Sequence, residues 1–303
     1  MSQNTSTHLG LIGLGKMGGN MRERLRARGV TVTGYDRDAS VSDVASLAEL
    51  VAALPEEQRI VWVMVPSGAP TRATVEELAG LLGEGDIVID GGNSRWSDDL
   101  VHADLLAGRG IGYLDCGVSG GVWGRQNGYA LMVGGDAEQV AAVRPVFDAL
   151  TPEGDAGFVH AGSTGAGHYS KMVHNGIEYA MMQAFAEGYE LLSTSGIVSD
   201  VPAVLDSWRE GTVVRSWLLD LLVKALHEHP GLSDIRGYAA DSGEGRWTVE
   251  AAIAQGVPTP AIAASLFARF TSQQEESPAM QAIAAMRQQF GGHAVQSAST
   301  PPA

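Results

Sequence analysis

Six short, largely apolar runs, at residues 9–12, 30–35, 60–65, 87–89, 113–114 and 130–133, punctuate the first half of this chain. Stretches at 17–28, 44–53, 71–82, 98–107 and 138–150 lie between or beside them and repeat apolar residues at helical spacing. A run with no polar face cannot sit on a solvated sheet, so these runs fit strands covered on both sides. The alternation predicts an α/β Rossmann-type fold, a doubly wound parallel sheet reaching to about residue 160.

The pattern then changes. Past the glycine-punctuated segment 162–167, residues 168–194 contain no proline and keep helical periodicity, as do 201–209, 216–227, 249–255, 260–272 and 278–290. The second half is therefore expected to be all-α, entered by a helix of roughly 25–30 residues against a usual mean of about 11–12. Three regions follow: a Rossmann domain over 1–163, a helical domain over 164–293, and a disordered tail over 294–303, which is small, polar and closed by prolines. The long helix would span the domain join, a place where ligand sites tend to lie.

Length and charge narrow the function classes. At 303 residues the chain is long enough for two domains, with 45% hydrophobic and 18% charged residues as in ordinary globular proteins. A net charge of −15 argues against nucleic acid or an anionic membrane as partner, because phosphate-rich surfaces need a basic face. The lone Cys116 excludes an intrachain disulfide and a multi-cysteine zinc site, and no metal is expected. No run reaches the roughly 18–20 apolar residues of a membrane span, and the polar start lacks a signal-peptide layout. A soluble cytoplasmic protein is expected.

Gly13-Leu14-Gly15-Lys16-Met17-Gly18 fits G-x-G-x-x-G between an apolar run and a helical stretch, and Asp36 ends the next run. Gly13 would allow the tight turn, Gly15 the approach of backbone N–H groups to a pyrophosphate, and Gly18 close helix–strand packing. The pyrophosphate would sit at the helix N-terminus. A carboxylate at Asp36 accepts hydrogen bonds from the ribose 2′-hydroxyl and repels a 2′-phosphate, so NAD is expected over NADP. Arg37 beside it could stack on adenine.

A second constellation sits on the long helix. Positions +3, +4 and +7 from Lys171 fall within roughly 60° of it, so Lys171, His174, Asn175 and Glu178 share a face, followed by Tyr179. That face presents an amine, an imidazole, an amide and a carboxylate.

Together with Gly13–Gly18, the stretches Asp90-Gly91-Gly92-Asn93-Ser94, Val118-Ser119-Gly120-Gly121, Lys171 to Tyr179 and Arg287 to His293 resemble the decarboxylating 6-phosphogluconate dehydrogenases, in a short form lacking a duplicated helical half. The resemblance implies oxidation of 6-phosphogluconate to ribulose 5-phosphate and CO2 in the pentose phosphate pathway. It makes Lys171 the general base, which requires its amine to be neutral, and Glu178 the acid that protonates the enediol. Asn93, Ser119, Gly120, Gly121, His174 and Asn175 would hold the sugar acid, and Val65 and Asn93 would join the cofactor set. Tyr179, Arg269, Arg287 and His293 would bind phosphate, the last two from the partner subunit of a homodimer or homotetramer. One segment departs from the family: Ser242-Gly243-Glu244-Gly245 stands before Arg246-Trp247-Thr248, so a lysine ligand is lost and Glu244 would repel phosphate if it faced inward.

Two other readings stay in play. A β-hydroxyacid dehydrogenase or imine reductase could use the same architecture, but hydroxyacid oxidation needs neither the Glu178 proton donor nor the Arg287/His293 clamp, and an imine reductase is not expected to keep the lysine-asparagine-glutamate face. A dinucleotide-sensing regulator would leave Lys171 and Glu178 unexplained.

Overall fold

The computed structural model describes residues 7–154 and 156–296, and its contacts divide the chain into two compact units, one ending at Asn175 and the other starting at Gly176. In the first unit β1 (His8–Ile12), α1 (Lys16–Ala27), β2 (Thr31–Tyr35), α2 (Leu47–Ala52), β3 (Ile60–Val63), α3 (Ala69–Leu81), β4 (Ile87–Asp90), α4 (Trp96–Ala107) and β5 (Gly112–Ser119) alternate as the apolar runs predict. After them come α5 (Gly124–Asn127), β6 (Ala130–Gly134), α6 (Ala137–Ala142), α7 (Arg144–Leu150) and β7 (Phe158–Gly162).

The strands form one sheet in the order β2-β1-β3-β4-β5-β6-β7. Successive residues feed opposite faces: Ile60 and Trp62 of β3 pack with Ile87, Ile89, Leu114 and Cys116 on one side, while Val61 and Val63 pack with Val88 and Tyr113 on the other. That is why these strands are apolar throughout; each fully buried side chain of this size contributes about 1.5–3 kcal/mol. Side-chain caps mark several helix starts, Ser46 accepting from the Glu49 N–H and Asp136 from the N–H groups of Glu138 and Gln139.

The Rossmann-type sheet with its all-α second half is as expected, and three details go beyond the pattern read from the sequence. One pair in the sheet is antiparallel, β6 against β5, with Cys116 opposite Val133. Residues 120–129 between them hold only a 3-10 turn and the four-residue α5, too little chain for the crossover that a parallel neighbour requires. A seventh strand, β7, pairs parallel to β6; it is a half-exposed edge strand and carries too few apolar residues to announce itself. The stretch 138–150 is two helices, since Pro145, lacking an N–H, sits in the first turn of α7.

Helix α8 (Ala166–Thr194) is 29 residues long, roughly 43 Å, and passes from the first unit into the second. The second unit continues with α9 (Val201–Ser207), α10 (Trp217–Glu228), α11 (Glu244–Gln255), α12 (Pro260–Ser272) and α13 (Pro278–Gly291). Its core gathers Leu205, Leu219, Val223 and Leu226 against Phe185 and Tyr189. Gly176 admits Thr248, which a Cβ there would meet at 2.7 Å. By contrast α13 buries none of its residues, and Met280, Met286 and Phe290 are exposed. Residues 294–296 are irregular and exposed, and the rest of the expected tail lies outside the described residues. Among the described residues no helix is long and apolar enough to cross a membrane.

Candidate active site

The turn between β1 and α1 has the form its glycines demand. Gly13 adopts φ +88°, and a Cβ on it would overlap the Met64 carbonyl group, while a Cβ on Gly18 would overlap the Gly13 carbonyl oxygen. At Gly15 a Cβ would meet nothing within 4 Å, so that position faces open space at the mouth of α1. Asp36 follows β2, and its carboxylate is aimed by backbone: the Leu14 N–H donates to Oδ2 at 2.6 Å and the Asp38 N–H to Oδ1 at 2.9 Å. The Leu14 side chain itself is buried beneath the turn.

A cleft of about 720 Å³ opens over the C-terminal ends of β1 to β4, a volume ordinary for a cofactor site. Gly13, Gly15, Lys16, Met17, Gly18, Asp36, Arg37, Val65, Asn93 and Lys171 all line it. The open glycine face, the helix mouth behind it and the aimed carboxylate fit a dinucleotide pyrophosphate and ribose. Sequence reasoning missed several cleft residues, among them Tyr35, Met64, Pro66, Pro70, Thr74 and Glu77. Tyr35, Met64 and Pro66 sit at or just past strand C-termini, and the rule that open α/β sheets bind ligands there could have found them.

Lys171 reaches this cleft because the start of α8 is pressed against the sheet through glycines. A Cβ on Gly117 of β5 would collide with the Lys171 Cβ, and one on Gly167 would stand 2.7 Å from the Asp115 carbonyl oxygen. Asp115, fully buried on β5, closes the helix start by accepting from the N–H groups of Gly165 (2.6 Å) and His168 (2.8 Å). The Lys171 Nζ donates to Asn175 Oδ1, which His174 Nδ1 also approaches at 2.9 Å. Ser119, Gly120 and Gly121 follow Val118, itself a cleft residue, at the end of β5, where Gly120 and Gly121 take φ +135° and +53°. Glu178 lies two turns after Lys171 on α8.

Beneath the cleft lies a buried polar cluster that the sequence did not announce. Asp90 accepts from the Gly92 N–H (2.9 Å), Ser94 Oγ (2.7 Å) and the Tyr113 hydroxyl (3.4 Å). The single proton of that hydroxyl is shared with Asp99, which lies closer at 2.9 Å, and His168 Nδ1 donates to the Asp99 oxygens at 2.9 and 3.0 Å. Burial works against a charge on His168, but the surrounding Asp99, Asp90 and Asp115 carboxylates outweigh it and raise its pKa. Burial drives the Tyr113 hydroxyl well above its usual range, so it stays a donor. Atoms of Asp90, Asp99 and His168 come within 4.8 Å of one another, as metal ligands would, but the hydrogen bonds above already close the set on itself.

In the second unit Tyr179 and Arg269 meet, the guanidinium lying 3.6 Å from the ring centroid. The Tyr179 hydroxyl accepts from the Ser242 N–H at 3.1 Å, and Arg246 Nε donates to Asp241 at 3.0 Å. Glu244 is buried in the first turn of α11, where the helix dipole favours an acidic side chain. Arg287 and His293 are exposed at the end of α13 and just past it, with Arg287 in no ion pair among the described residues.

The chain matches two family models: the NAD binding domain of 6-phosphogluconate dehydrogenase over residues 8–165 and the 6-phosphogluconate dehydrogenase C-terminal domain over 167–300. It is 40% identical over 297 residues to an NAD(+)-dependent, decarboxylating 6-phosphogluconate dehydrogenase of Haloferax volcanii, covering 95% of this chain and 98% of that one. A decarboxylating 6-phosphogluconate dehydrogenase of Bacillus licheniformis is 36% identical over 87% of this chain, which spans 61% of that longer protein. Among solved structures, the 6-phosphogluconate dehydrogenase of Plasmodium falciparum superposes with a TM-score of 0.78 at 25% identity, over 97% of this chain and 67% of that one.

Proposed function

The chain belongs to the 6-phosphogluconate dehydrogenase family, and on that footing we propose that it oxidatively decarboxylates 6-phosphogluconate to ribulose 5-phosphate and CO2, with NAD as hydride acceptor. One observation carries the reading: Lys171 projects into the same cleft as the glycine turn and Asp36. A nicotinamide bound there supplies the hydride acceptor for C3 of the sugar acid.

Lys171 takes the proton of the C3 hydroxyl, and Asn175, already bonded to the amine, keeps it aimed. The resulting β-keto acid loses CO2: the C1–C2 bond breaks and its electrons pass to the C3 oxygen, to which Lys171 returns the proton. Glu178 protonates the carbon that lost CO2. Asn93, Ser119, Gly120, Gly121 and His174 hold the carboxylate and hydroxyls, the glycines through unencumbered N–H groups. Tyr179 and Arg269 receive the phosphate, with Arg246 near them in place of the lost lysine. The working form is a homodimer or homotetramer in which Arg287 and His293 complete the partner's phosphate site. The exposed Met280, Met286 and Phe290 on a helix that buries nothing support that assembly. The lone buried Cys116 suits a cytoplasmic setting.

The test is to follow NADH formation and CO2 release together from 6-phosphogluconate. Equal amounts of both are expected; NADH without CO2 would point to a simple hydroxyacid dehydrogenase, and neither product would remove the reading.

A further inference from the structure

We propose that Asp99 and His168 are a positioning pair: with Tyr113 and Asp90 they tie the first turn of α8 to the loop bearing Asn93, and so set the spacing of Lys171 and Asn93 in the cleft. The inference rests on the reading of Lys171 as the base. The chain of bonds is continuous. Asp90 folds the Gly91–Asn93 turn by accepting from Gly92 and Ser94. Tyr113 bridges Asp90 to Asp99, Asp99 holds the imidazole of His168, and the His168 backbone is held by Asp115. Lys171 stands one helical turn further on, and both it and Asn93 line the cleft.

Stability alone gives no reason for this construction. Asp90, Asp99 and Asp115 are fully buried and His168 and Tyr113 nearly so, yet His168 Nε2 finds no hydrogen-bond partner among the described residues. Well-packed apolar side chains at such places are often neutral or stabilising compared with a buried ion pair. Directional bonds do what apolar packing cannot: they fix the rotation of α8 and the pitch of the loop together. A misplacement of about 1 Å between base and substrate can cost about a hundredfold in rate.

The test uses the full-length protein with 6-phosphogluconate and NAD, comparing His168→Gln, Asp99→Asn, the double variant and Tyr113→Phe. Each single change at 99 or 168 is expected to lower kcat about tenfold or more, with Kd for NAD unchanged within about threefold. The double variant should lose no more than the worse single one, because both act through one bond. Amide exchange should rise at 91–94 and at 166–171 together, whichever residue is altered. Near-normal kcat in folded variants, or exchange rising in one segment alone, overturns the proposal. Should the single variants fail to fold, the double, with its neutral amide pair, and Tyr113→Phe, which removes one hydroxyl, carry the same readouts. A wild-type protein without turnover would defeat the functional reading, and the coupled exchange would still decide the pair.

Discussion

Gly117 of β5 and Lys171 of α8 lie so close that a Cβ at position 117 would clash with the Lys171 Cβ and stand 2.8 Å from the Gly167 carbonyl oxygen. The helix is thus seated by the absence of a side chain. Gly117→Ala should destabilise the protein by about 1–3 kcal/mol through overpacking. It should also lower kcat by about tenfold or more, with NAD affinity retained, because the lysine is pushed away from its substrate. Calorimetry and steady-state kinetics on one preparation check both effects.

Lys171→Met keeps the stem and removes the amine. Turnover should fall by about a thousandfold or more, within the range general acid–base groups supply, and the Kd for NAD should stay the same. Near-normal turnover would rule the amine out as the base.

Asp36 is held by the Leu14 and Asp38 N–H groups with its carboxylate lining the cleft, where the proposed cofactor would place its ribose. Replacing it as Asp36→Ser should lower kcat/KM for NAD about tenfold while leaving or raising that for NADP, since the repulsion of a 2′-phosphate goes with the charge. A wild-type preference for NADP would contradict the assignment.

Arg287→Ala should raise KM for 6-phosphogluconate about tenfold or more and leave KM for NAD unchanged, as loss of a bidentate phosphate contact predicts. If the site is shared between subunits as proposed, mixing unfolded Arg287→Ala and Lys171→Met chains and refolding them should restore activity, because one site in each mixed dimer would then have both residues. No recovery would argue against a site shared between subunits.

Stability should depend on pH through His168. Its pKa rises from 6.5 to about 9 in the folded chain: burial opposes the charge, but Asp99, Asp90 and Asp115 prevail, with the neutral Tyr113 beside them. A group raised in this way contributes its full stabilisation below its unfolded value and loses it as pH climbs through the folded one. Unfolding free energy should therefore decline by up to about 1.4 kcal/mol per pH unit between roughly 6.5 and 9. His168→Gln should flatten that decline; an unchanged slope would show the imidazole to be neutral.

Much of this protein was written in local pattern. Strand-length apolar runs, the spacing of Gly13, Gly15 and Gly18, the place of Asp36 and the helical phase of Lys171 and Asn175 are properties of neighbouring residues, and steric and periodic rules read them without knowing the rest of the chain. The reversal of β6 and the edge strand β7 were less visible, since strand direction and edge pairing depend on partners distant in sequence, whereas the split at Pro145 is a local signal that the periodicity of 138–150 overrode. The cluster of Asp90, Asp99, Tyr113, Asp115 and His168 had no local signature at all. Its members come from β4, α4, β5 and α8, and a buried carboxylate looks like any surface aspartate until folding brings it a donor and excludes water. Periodicity put Lys171 and Asn175 on one side of their helix, and long-range contacts with glycine and aspartate on β5 brought that side to the cleft.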